Sequence, residues 1–270
     1  MTHYQEEQLS YYVENNFVSN TKMACEYILK SFGIKYTVKG MVKTLHRLGF
    51  VHKKPKRIPG KLPSKSIQEA FVEKVNNILD NLKENEEAYF VDGSGFEHNV
   101  KISYGWIKKG TNKNIKTNTG RRKINVNGAY NPLNQNVICI EEEGTINQDS
   151  NIALIDKIIK KRKKLTTLFL FMDNAKYNKS KAFNEHVEKI KRLKRIQIKI
   201  IYLPTYSPNL NLIERLWSYA KKHLLVNKYY EKYALFRQVI TDFFEKNINE
   251  NHHINNLKQS IGRKFQIIEA

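Results

Sequence analysis

The chain has 270 residues, enough for one substantial catalytic domain and a small additional module. It carries 47 lysines and arginines against 26 acids, a formal net charge of +21, and this imbalance predicts a nucleic-acid partner. A basic protein of the membrane surface would need an amphipathic helix whose apolar face is not used by a core, and the sequence contains no such pattern.

The sequence gives no sign of export or membrane insertion. Its start, MTHYQEEQLSYY, lacks the pattern of a signal peptide, and no apolar run is long enough to cross a bilayer. Cys25 and Cys139 are isolated from each other, so neither a zinc cluster nor a disulfide framework is indicated. We therefore expect a protein of the reducing cytoplasm, without a membrane partner, that associates with the nucleoid.

Residues 1–54 are predicted to form short helices. Thr21 can cap a helix that Gly33 ends, and Thr37 can cap the next helix, which Gly49 ends. On this second helix apolar residues recur at helical spacing, while basic residues lie largely elsewhere. The pattern is typical of a helix-turn-helix module whose second helix enters the major groove, followed by a basic wing, FVHKKPK. The alternative is an ordinary helical hairpin with a solvated face.

A proline-rich linker joins this module to the rest of the chain. Residues 55–64, PKRIPGKLPS, contain three prolines and one glycine, a composition that favours an extended segment whose basic side chains can follow a phosphate backbone. The residues predicted to bind DNA in the module, the linker and a later basic turn are Lys39, Lys43, His46, Arg47, Lys53, Lys54, Lys56, Arg57, Arg121 and Arg122.

Residues 65–270 alternate between helix and strand patterns, which predicts a mixed α/β sheet. The predicted strands lie at 89–91, 102–107, 124–130, 137–140, 168–172 and 196–203. The predicted helices lie at 65–84, 151–160, 178–193, 210–226 and from 228 onward. The run at 168–172 is apolar throughout, as expected for a central strand covered on both faces.

Three acidic residues have distinctive settings. Asp92 follows an apolar strand in AYFVDGSGF, Asp173 ends the apolar run in TTLFLFMDNAKYNKS, and Glu214 lies in YLPTYSPNLNLIERLW. Carboxylates from distant positions can share a site when their elements meet at one sheet edge, and Mg²⁺ prefers oxygen ligands. Two such ions can promote phosphodiester cleavage without a nucleophilic side chain. The three acids are therefore candidate ligands of a metal site.

Each acid also has an ordinary structural explanation. Asp92, which precedes Gly93, could occupy an Asx-type turn, and Asp173 could cap the helix that follows it. Asn211 and Glu214 have the spacing of a capping box. Spacing alone leaves these explanations open.

The same segments resemble the transposases of the mariner superfamily, in the bacterial insertion-sequence branch. The most specific string is YLPTYSPNLNLIERLW. The resemblance extends to GWIKKG at 105–110, GRRKINVNGAYNP at 120–132 and LHRLGFVHKKPKRIPGK at 45–61. These strings occur in the order expected for that family, and together they cover roughly residues 20–250.

The resemblance implies an RNase H-like mixed sheet flanked by helices at 65–270. A small all-α helix-turn-helix (winged) module at 1–54 would precede it, shorter than the two subdomains of full-length relatives. Asp92, Asp173 and Glu214 would form a DDE triad that binds two Mg²⁺ ions, with Mn²⁺ able to substitute. The implied activity is cleavage of double-stranded DNA at terminal inverted repeats and transfer of the 3′-OH end into target DNA at TA, by a homodimer.

Asn174 and Asn178 are predicted to support the triad. Asn174 directly follows the second acid and could orient it or a water. Asn178 stands where many relatives have His, so the chain departs from the family pattern at this position.

Two other functions fit the pattern less well. A catalytically silent or domesticated DNA-binding protein would have no need of three acids in these settings. Another RNase H-like DNA nuclease would cut DNA without joining it.

Overall fold

The structure of the protein is a computed structural model that describes residues 1–55, 59–120 and 122–269. The chain divides into two units, Met1–Arg57 and Ile58–Ala270. Within the described ranges, no helix is both long enough and apolar enough to cross a membrane. The predicted DNA-binding residues that lie outside the described ranges are Lys56, Arg57 and Arg121.

The first unit contains three helices, α1 (His3–Asn15), α2 (Thr21–Phe32) and α3 (Val38–Arg47). They enclose a small core of their own, and the residues fully buried in it are Leu9, Ala24, Ile28 and Met41. Residues 50–55, where the sequence predicted a basic wing, have no regular secondary structure.

The helix ends of this unit follow local side-chain chemistry. The Asn20 side chain accepts a hydrogen bond from a backbone N–H in the first turn of α2, so the cap lies one residue before the predicted Thr21. Thr37 caps α3 as predicted. Gly33 ends α2 with φ 68°, in the left-handed region that glycine enters without a Cβ penalty. The short turn between α2 and α3 is therefore specified locally.

The second unit alternates strands and helices. Its strands are β1 (Glu86–Glu97), β2 (Lys123–Tyr130), β3 (Val137–Glu142), β4 (Thr167–Met172) and β5 (Gln197–Tyr202). Its α-helices are α4 (Lys65–Asp80), α5 (Gln148–Lys161), α6 (Lys181–Lys194), α7 (Ile213–Leu225), α8 (Tyr233–Asp242) and α9 (Asn251–Ser260). Short 3₁₀ turns, Lys176–Lys179 and Pro208–Leu210, precede α6 and α7, and a π turn, Phe243–Asn247, follows α8.

The five strands form one mixed sheet in the order β3-β2-β1-β4-β5. Strand β2 pairs antiparallel with both β3 and β1, and strand β4 pairs parallel with both β1 and β5. Asp92 lies opposite Gly128 in the β1–β2 pair, and Phe90 lies opposite Phe171 in the β1–β4 pair. Asp92 is thus inside a long strand, so the Asx-turn explanation for this residue is wrong.

Helices cover both faces of the sheet, as predicted. Along β1, Phe90 and Phe96 join a core with α4, α7, α8 and α9, while Tyr89 joins a second core with α5 and α6. Because side chains alternate along a strand, Asp92 and Ser94 share the face of Phe90 and Phe96. The first candidate acid therefore points toward the helices that include α7.

The predicted strand at 102–107 does not form. β1 already has β2 on one side and β4 on the other, so no edge beside it is open to another strand. The segment has no regular secondary structure, and Tyr104 and Trp106 are fully exposed. Its start is held at the end of α7, where the Lys101 N–H donates to the Leu225 carbonyl over 3.0 Å. The alternating apolar residues that predicted the strand have no neighbour to pair with.

Helix α7 packs closely on β2 at Gly128. A Cβ atom at this position would lie 2.6 Å from Cη2 of Trp217 and 2.9 Å from Sγ of Cys139, both closer than real Cβ contacts. The buried Trp217 ring also contacts Phe96 edge-on, with 6.3 Å between ring centres. Glycine at 128 therefore sets how closely α7, and Glu214 with it, approaches the sheet.

Gly128→Ala is expected to lower the free energy of unfolding by about 1–3 kcal/mol, because the added methyl group overpacks the contact with Trp217. Thermal unfolding followed by circular dichroism measures the change. Gly144→Ala is the matched control, since a Cβ at Gly144 meets nothing within 4 Å. Equal effects of the two substitutions would contradict the close packing at Gly128.

Candidate active site

The three predicted acids line one open cleft of about 320 Å³ beside the end of β4. Asp92 and Asp173 come from neighbouring parallel strands, and each lies two residues beyond the paired Phe90 and Phe171. Glu214 reaches the cleft from the first turn of α7. The fold thus brings together three residues that are far apart in the sequence.

Glu214 lines the cleft and does not cap its own helix. The N-cap position of α7 is Leu212, and no side-chain hydrogen bond caps the helix there. The Asn211 amide instead donates to the Val91 carbonyl over 3.4 Å, so the capping-box explanation is wrong. Oδ1 of Asn211, in the wall of the cleft, is buried with no hydrogen-bond partner among the described residues.

Burial and mutual repulsion define the electrostatics of the cleft. Burial, followed by the negative charges of Glu214 and Asp173, raises the pKa of Asp92 to about 7, although a hydrogen bond from the Gly93 backbone opposes the rise. The Asp92 carboxyl therefore gains and loses its proton near neutral pH.

The donor set of the cleft fits a divalent cation of the Mg²⁺ type. Mg²⁺ and Mn²⁺ prefer carboxylate oxygens, and Mg²⁺ is usually held by one or two carboxylates together with waters and substrate phosphates. A positive charge would also relieve the repulsion among Asp92, Asp173 and Glu214. The described residues contain no group of three His, Cys, Asp or Glu side chains already placed to hold an ion, so the acids fit by chemistry and position rather than as a closed cage.

A chain of buried asparagines ends on Asp173. The Asn127 side chain on β2 donates to Asn151 on α5 over 2.6 Å, and Asn151 donates to Asn178. Asn178 in turn donates to Oδ1 of Asp173 over 2.8 Å. The three asparagines are only 1–3% exposed. Because a carboxylate only accepts hydrogen bonds, it fixes the direction of the whole chain.

This hydrogen-bond chain orients the Asp173 carboxylate toward the cleft. Oδ1 of Asp173 also accepts a bond from the Ala175 backbone N–H over 3.1 Å. The helix that follows, α6, is capped by Ser180, so the capping explanation for Asp173 is wrong. Asn174 lines the same cleft, but its amide donates to the Leu203 carbonyl over 2.8 Å and ties the end of β4 to the end of β5.

Sequence reasoning identified Asn178 but missed Asn127 and Asn151. The partners are separated by 24 and 27 residues, so no local spacing connects them. The only signal in the sequence is a polar residue at a position that the strand or helix buries. Such a residue is recognised as part of a network only when the elements are packed together.

The predicted DNA-binding side chains that the structure describes are all exposed: Lys39, Lys43, His46, Arg47, Lys53, Lys54 and Arg122. Two of them have intramolecular partners. Arg47 on α3 donates two hydrogen bonds to Glu6 on α1, over 2.5 and 2.8 Å. The Arg122 guanidinium lies over the ring of Tyr233, 5.5 Å from its centre.

The fold and the cleft define the class of this protein. It is an RNase H-like α/β protein that brings three acids to one cleft and also carries a helix-turn-helix unit. The chain belongs to the DDE superfamily endonuclease family, whose model matches residues 87–236. A winged helix-turn helix model matches residues 18–75. The predicted fold class and the predicted family resemblance are both confirmed.

Two known proteins similar to this chain come from mobile elements. The insertion element IS630 uncharacterized 39 kDa protein of Shigella sonnei is 26% identical over 145 residues, which are 53% of this chain and 40% of that protein. The fold is shared with a Mos1 transposase paired-end complex with the left transposon end, at a TM-score of 0.64 and 13% identity, over 98% of this chain and 81% of that one. A Mos1 mariner paired-end complex with Mn has a TM-score of 0.65 and 14% identity, also over 98% of this chain and 81% of that one.

Asp92→Asn is expected to raise the melting temperature by about 2–4 °C at pH 8 in the presence of a chelator. For a chain of this size, that shift corresponds to a gain of ~1 kcal/mol in the free energy of unfolding. Because the pKa of Asp92 is raised to about 7, folding is favoured while the carboxyl is protonated, and that stability is lost as pH rises through about 7. The gain from the neutral amide should therefore shrink at pH 5. Asp149→Asn, at an exposed position of α5, is the control. A gain of equal size at both pH values would refute the explanation.

Asn151→Ala is expected to lower the free energy of unfolding by about 1–3 kcal/mol, because Asn127 loses its acceptor and Asn178 its donor. It should also weaken Mn²⁺ binding by about 10–100-fold, as the loss of groups that orient a metal ligand typically does. Thermal unfolding and Mn²⁺ titration followed by electron paramagnetic resonance measure the two effects. Asn255→Ala, at an exposed position of α9, is the control. Unchanged Mn²⁺ affinity in a folded Asn151 variant would contradict the orienting role.

Proposed function

We propose that this protein is a DDE transposase, which cuts the ends of a mobile DNA element and joins the freed 3′-OH ends to target DNA. The observation that carries the proposal is the convergence of Asp92, Asp173 and Glu214 on one cleft in a chain of the DDE superfamily endonuclease family. The relatives support the same conclusion, since Mos1 is a transposase and the Shigella sonnei protein belongs to an insertion element.

The proposed reaction consists of two phosphodiester exchanges. Water attacks the phosphorus at the element end, the bond from phosphorus to O3′ breaks, and a 3′-OH is released. That hydroxyl then attacks a phosphodiester of the target, so that one P–O bond forms as another breaks, and no ATP is required. Asp92, Asp173 and Glu214 would hold Mg²⁺ or Mn²⁺, proposed as two ions, which would supply Lewis-acid chemistry at the phosphodiester.

The side chains around the acids contribute orientation. Asn178 holds the Asp173 carboxylate through a hydrogen bond that the buried Asn151 and Asn127 support from behind. A carboxylate fixed in advance needs little reorganisation when charge develops on the reacting phosphate. The pKa of Asp92 is raised to about 7, and this carboxyl must lose its proton before it can act as a ligand, so we expect activity to fall as the pH drops below neutrality.

The proposed partner is double-stranded DNA, as terminal inverted repeats and as a target at TA, with a homodimer as the working unit. Exposed Lys39 and Lys43 on α3 are proposed to contact the major groove. The division into a DNA-reading module at 1–54, a basic linker at 55–64 and a catalytic domain at 65–270 belongs to this proposal. So does a location in the cytoplasm at the nucleoid.

Asp173→Ala is expected to reduce metal-dependent cleavage at the ends of inverted repeats by at least ~10³-fold, about 4 kcal/mol of barrier. The physical reason is the loss of a carboxylate ligand that the asparagine chain holds in place. The measurement maps cut and joined products on DNA carrying the repeats that flank this gene, intact and pre-cut, with Mg²⁺ or Mn²⁺. Asp149→Ala, which removes an exposed acid outside the cleft, should cut as the unaltered protein does.

Three results would contradict the proposal in different ways. Nicking that survives Asp173→Ala would remove this residue from the site. Cleavage of branched DNA without joined products would indicate a different RNase H-like nuclease. Tight DNA binding with no chemistry on intact or pre-cut ends would indicate a DNA-binding protein.

A further inference from the structure

Gln68 on α4 is fully buried, and its side-chain amide uses all of its hydrogen-bonding capacity. Its Nε2 donates to the carbonyls of Pro63 and Ile268, over 2.9 and 2.8 Å. Its Oε1 accepts from the Ile268 N–H over 3.2 Å and from Nδ2 of Asn209 over 2.9 Å. Three segments therefore meet at one side chain: the end of the linker, the segment at 264–269 and the loop before α7. We call this meeting point the Gln68 junction.

The segment at 264–269 packs against the strand that carries Asp92. It has no regular secondary structure, yet Phe265 and Ile267 join the core that β1 and α7 share. The centre of the Phe265 ring lies 6.0 Å from that of Phe90, which is two residues before Asp92 on the same face of β1. The segment is therefore fixed by apolar packing as well as by its bonds to Gln68.

Asn209 ties one wall of the acidic cleft to this junction. Residues 203–208 form that wall, and Asn209 follows them directly. Nδ2 of Asn209 donates to Oε1 of Gln68 over 2.9 Å and to the Gln266 carbonyl over 2.7 Å. Because both partners are acceptors, the amide has only one productive orientation. The wall of the cleft is thus bonded to α4 and to the segment at 264–269 at once.

The loop itself supplies little that would hold this wall in place. The bonds of Ser207 and Leu210 stay inside the loop, to the carbonyls of Thr205 and Ser207. Tyr206 has φ 58°, a left-handed conformation that a residue with a Cβ keeps only where the surrounding structure holds it. The loop runs through a single 3₁₀ turn into α7, whose first turn carries Glu214. An external attachment at Asn209 therefore bears on both the wall and Glu214.

We infer that Asn209 and Gln68 are positioning residues, which hold the wall of the acidic cleft and the start of α7 against the segment at 264–269. The segment thereby becomes part of what shapes the cleft, although it is far from all three acids in the sequence. The inference rests on the proposed function only in that the cleft holds a divalent metal. Neither side chain contacts the reacting atoms, and both act through the position of Glu214.

A simpler role for the Gln68 junction would be to staple the segment at 264–269 to α4. The two roles separate at Asn209, because its loss leaves the bonds between Gln68 and Ile268 in place. A staple acts on global stability alone. A positioning role predicts that the loop opens locally, more often than the whole chain unfolds, and that the acids bind metal less tightly.

The first test measures amide hydrogen exchange in the full chain with and without Asn209→Ala. Exchange in the loop at 205–212 should rise by about 10-fold, as expected for the loss of two hydrogen bonds, while amides of β4 report any change in global stability. Asn184→Ala is the matched control, since this exposed asparagine of α6 donates to the Lys179 carbonyl over 3.3 Å. A rise in the loop no larger than that in β4 would overturn the positioning role.

The second test is Mn²⁺ titration of the same variants, followed by electron paramagnetic resonance. Asn209→Ala should weaken Mn²⁺ binding by about 10-fold, the low end of the effect of losing a group that orients a metal ligand. Asn184→Ala should bind Mn²⁺ as the unaltered protein does. Unchanged Mn²⁺ affinity in Asn209→Ala would likewise overturn the role.

Gln68→Met, a neutral change of similar size, removes all four bonds of the junction. It should show the loop and Mn²⁺ effects together with a lower free energy of unfolding, because buried partners lose their bonds. Asn209→Ala decides the question alone if this variant does not fold. Both effects in a protein that cuts no DNA would retain the positioning role and reject the transposase activity.

Discussion

The arrangement of the cleft depends on one close contact between helix α7 and the sheet. Trp217 packs against Gly128 at a distance that leaves no room for a Cβ atom, so the helix approaches the strands closely. Gly128 lies directly opposite Asp92 in the β1–β2 pair, and Glu214 on the first turn of α7 is therefore brought into the same cleft as Asp92. Because close-packed contacts resist compression, this single contact positions the helix that carries Glu214 with little freedom.

The groove between β1 and α7 contains opposite charges at successive positions. At one position burial and repulsion raise the pKa of Asp92, and at the next burial and a like charge lower the pKa of Lys221. Within the described ranges neither Asp92 nor Lys221 takes part in an ion pair, whereas the asparagines behind Asp173 are joined by hydrogen bonds. Uncompensated charge of this kind lowers stability and is typical of sites that bind a charged ligand. The acidic part of the groove is therefore suited to a cation.

Local patterns in the sequence predicted much of this fold correctly, and they failed where a tertiary alternative existed. The buried strand before Asp173 and the helix that carries Glu214 follow from apolar spacing alone. The prediction of a strand at 102–107 was wrong because both edges of β1 are already occupied by other strands. The cap of α2 is Asn20 rather than Thr21, since two adjacent residues could both supply the capping oxygen.

The sequence by itself determined the three acids, the basic charge and the family, because each is carried by residue identities and strings that need no contacts. Only the tertiary structure decided which polar residues work together. Asn127 and Asn151 become supports of Asp173, and Ser94 becomes the partner of Lys221, through hydrogen bonds between segments far apart in the chain. Periodicity and propensity describe neighbours along the chain, whereas the hydrogen-bond partner of a buried polar group is set by the packing of strands and helices.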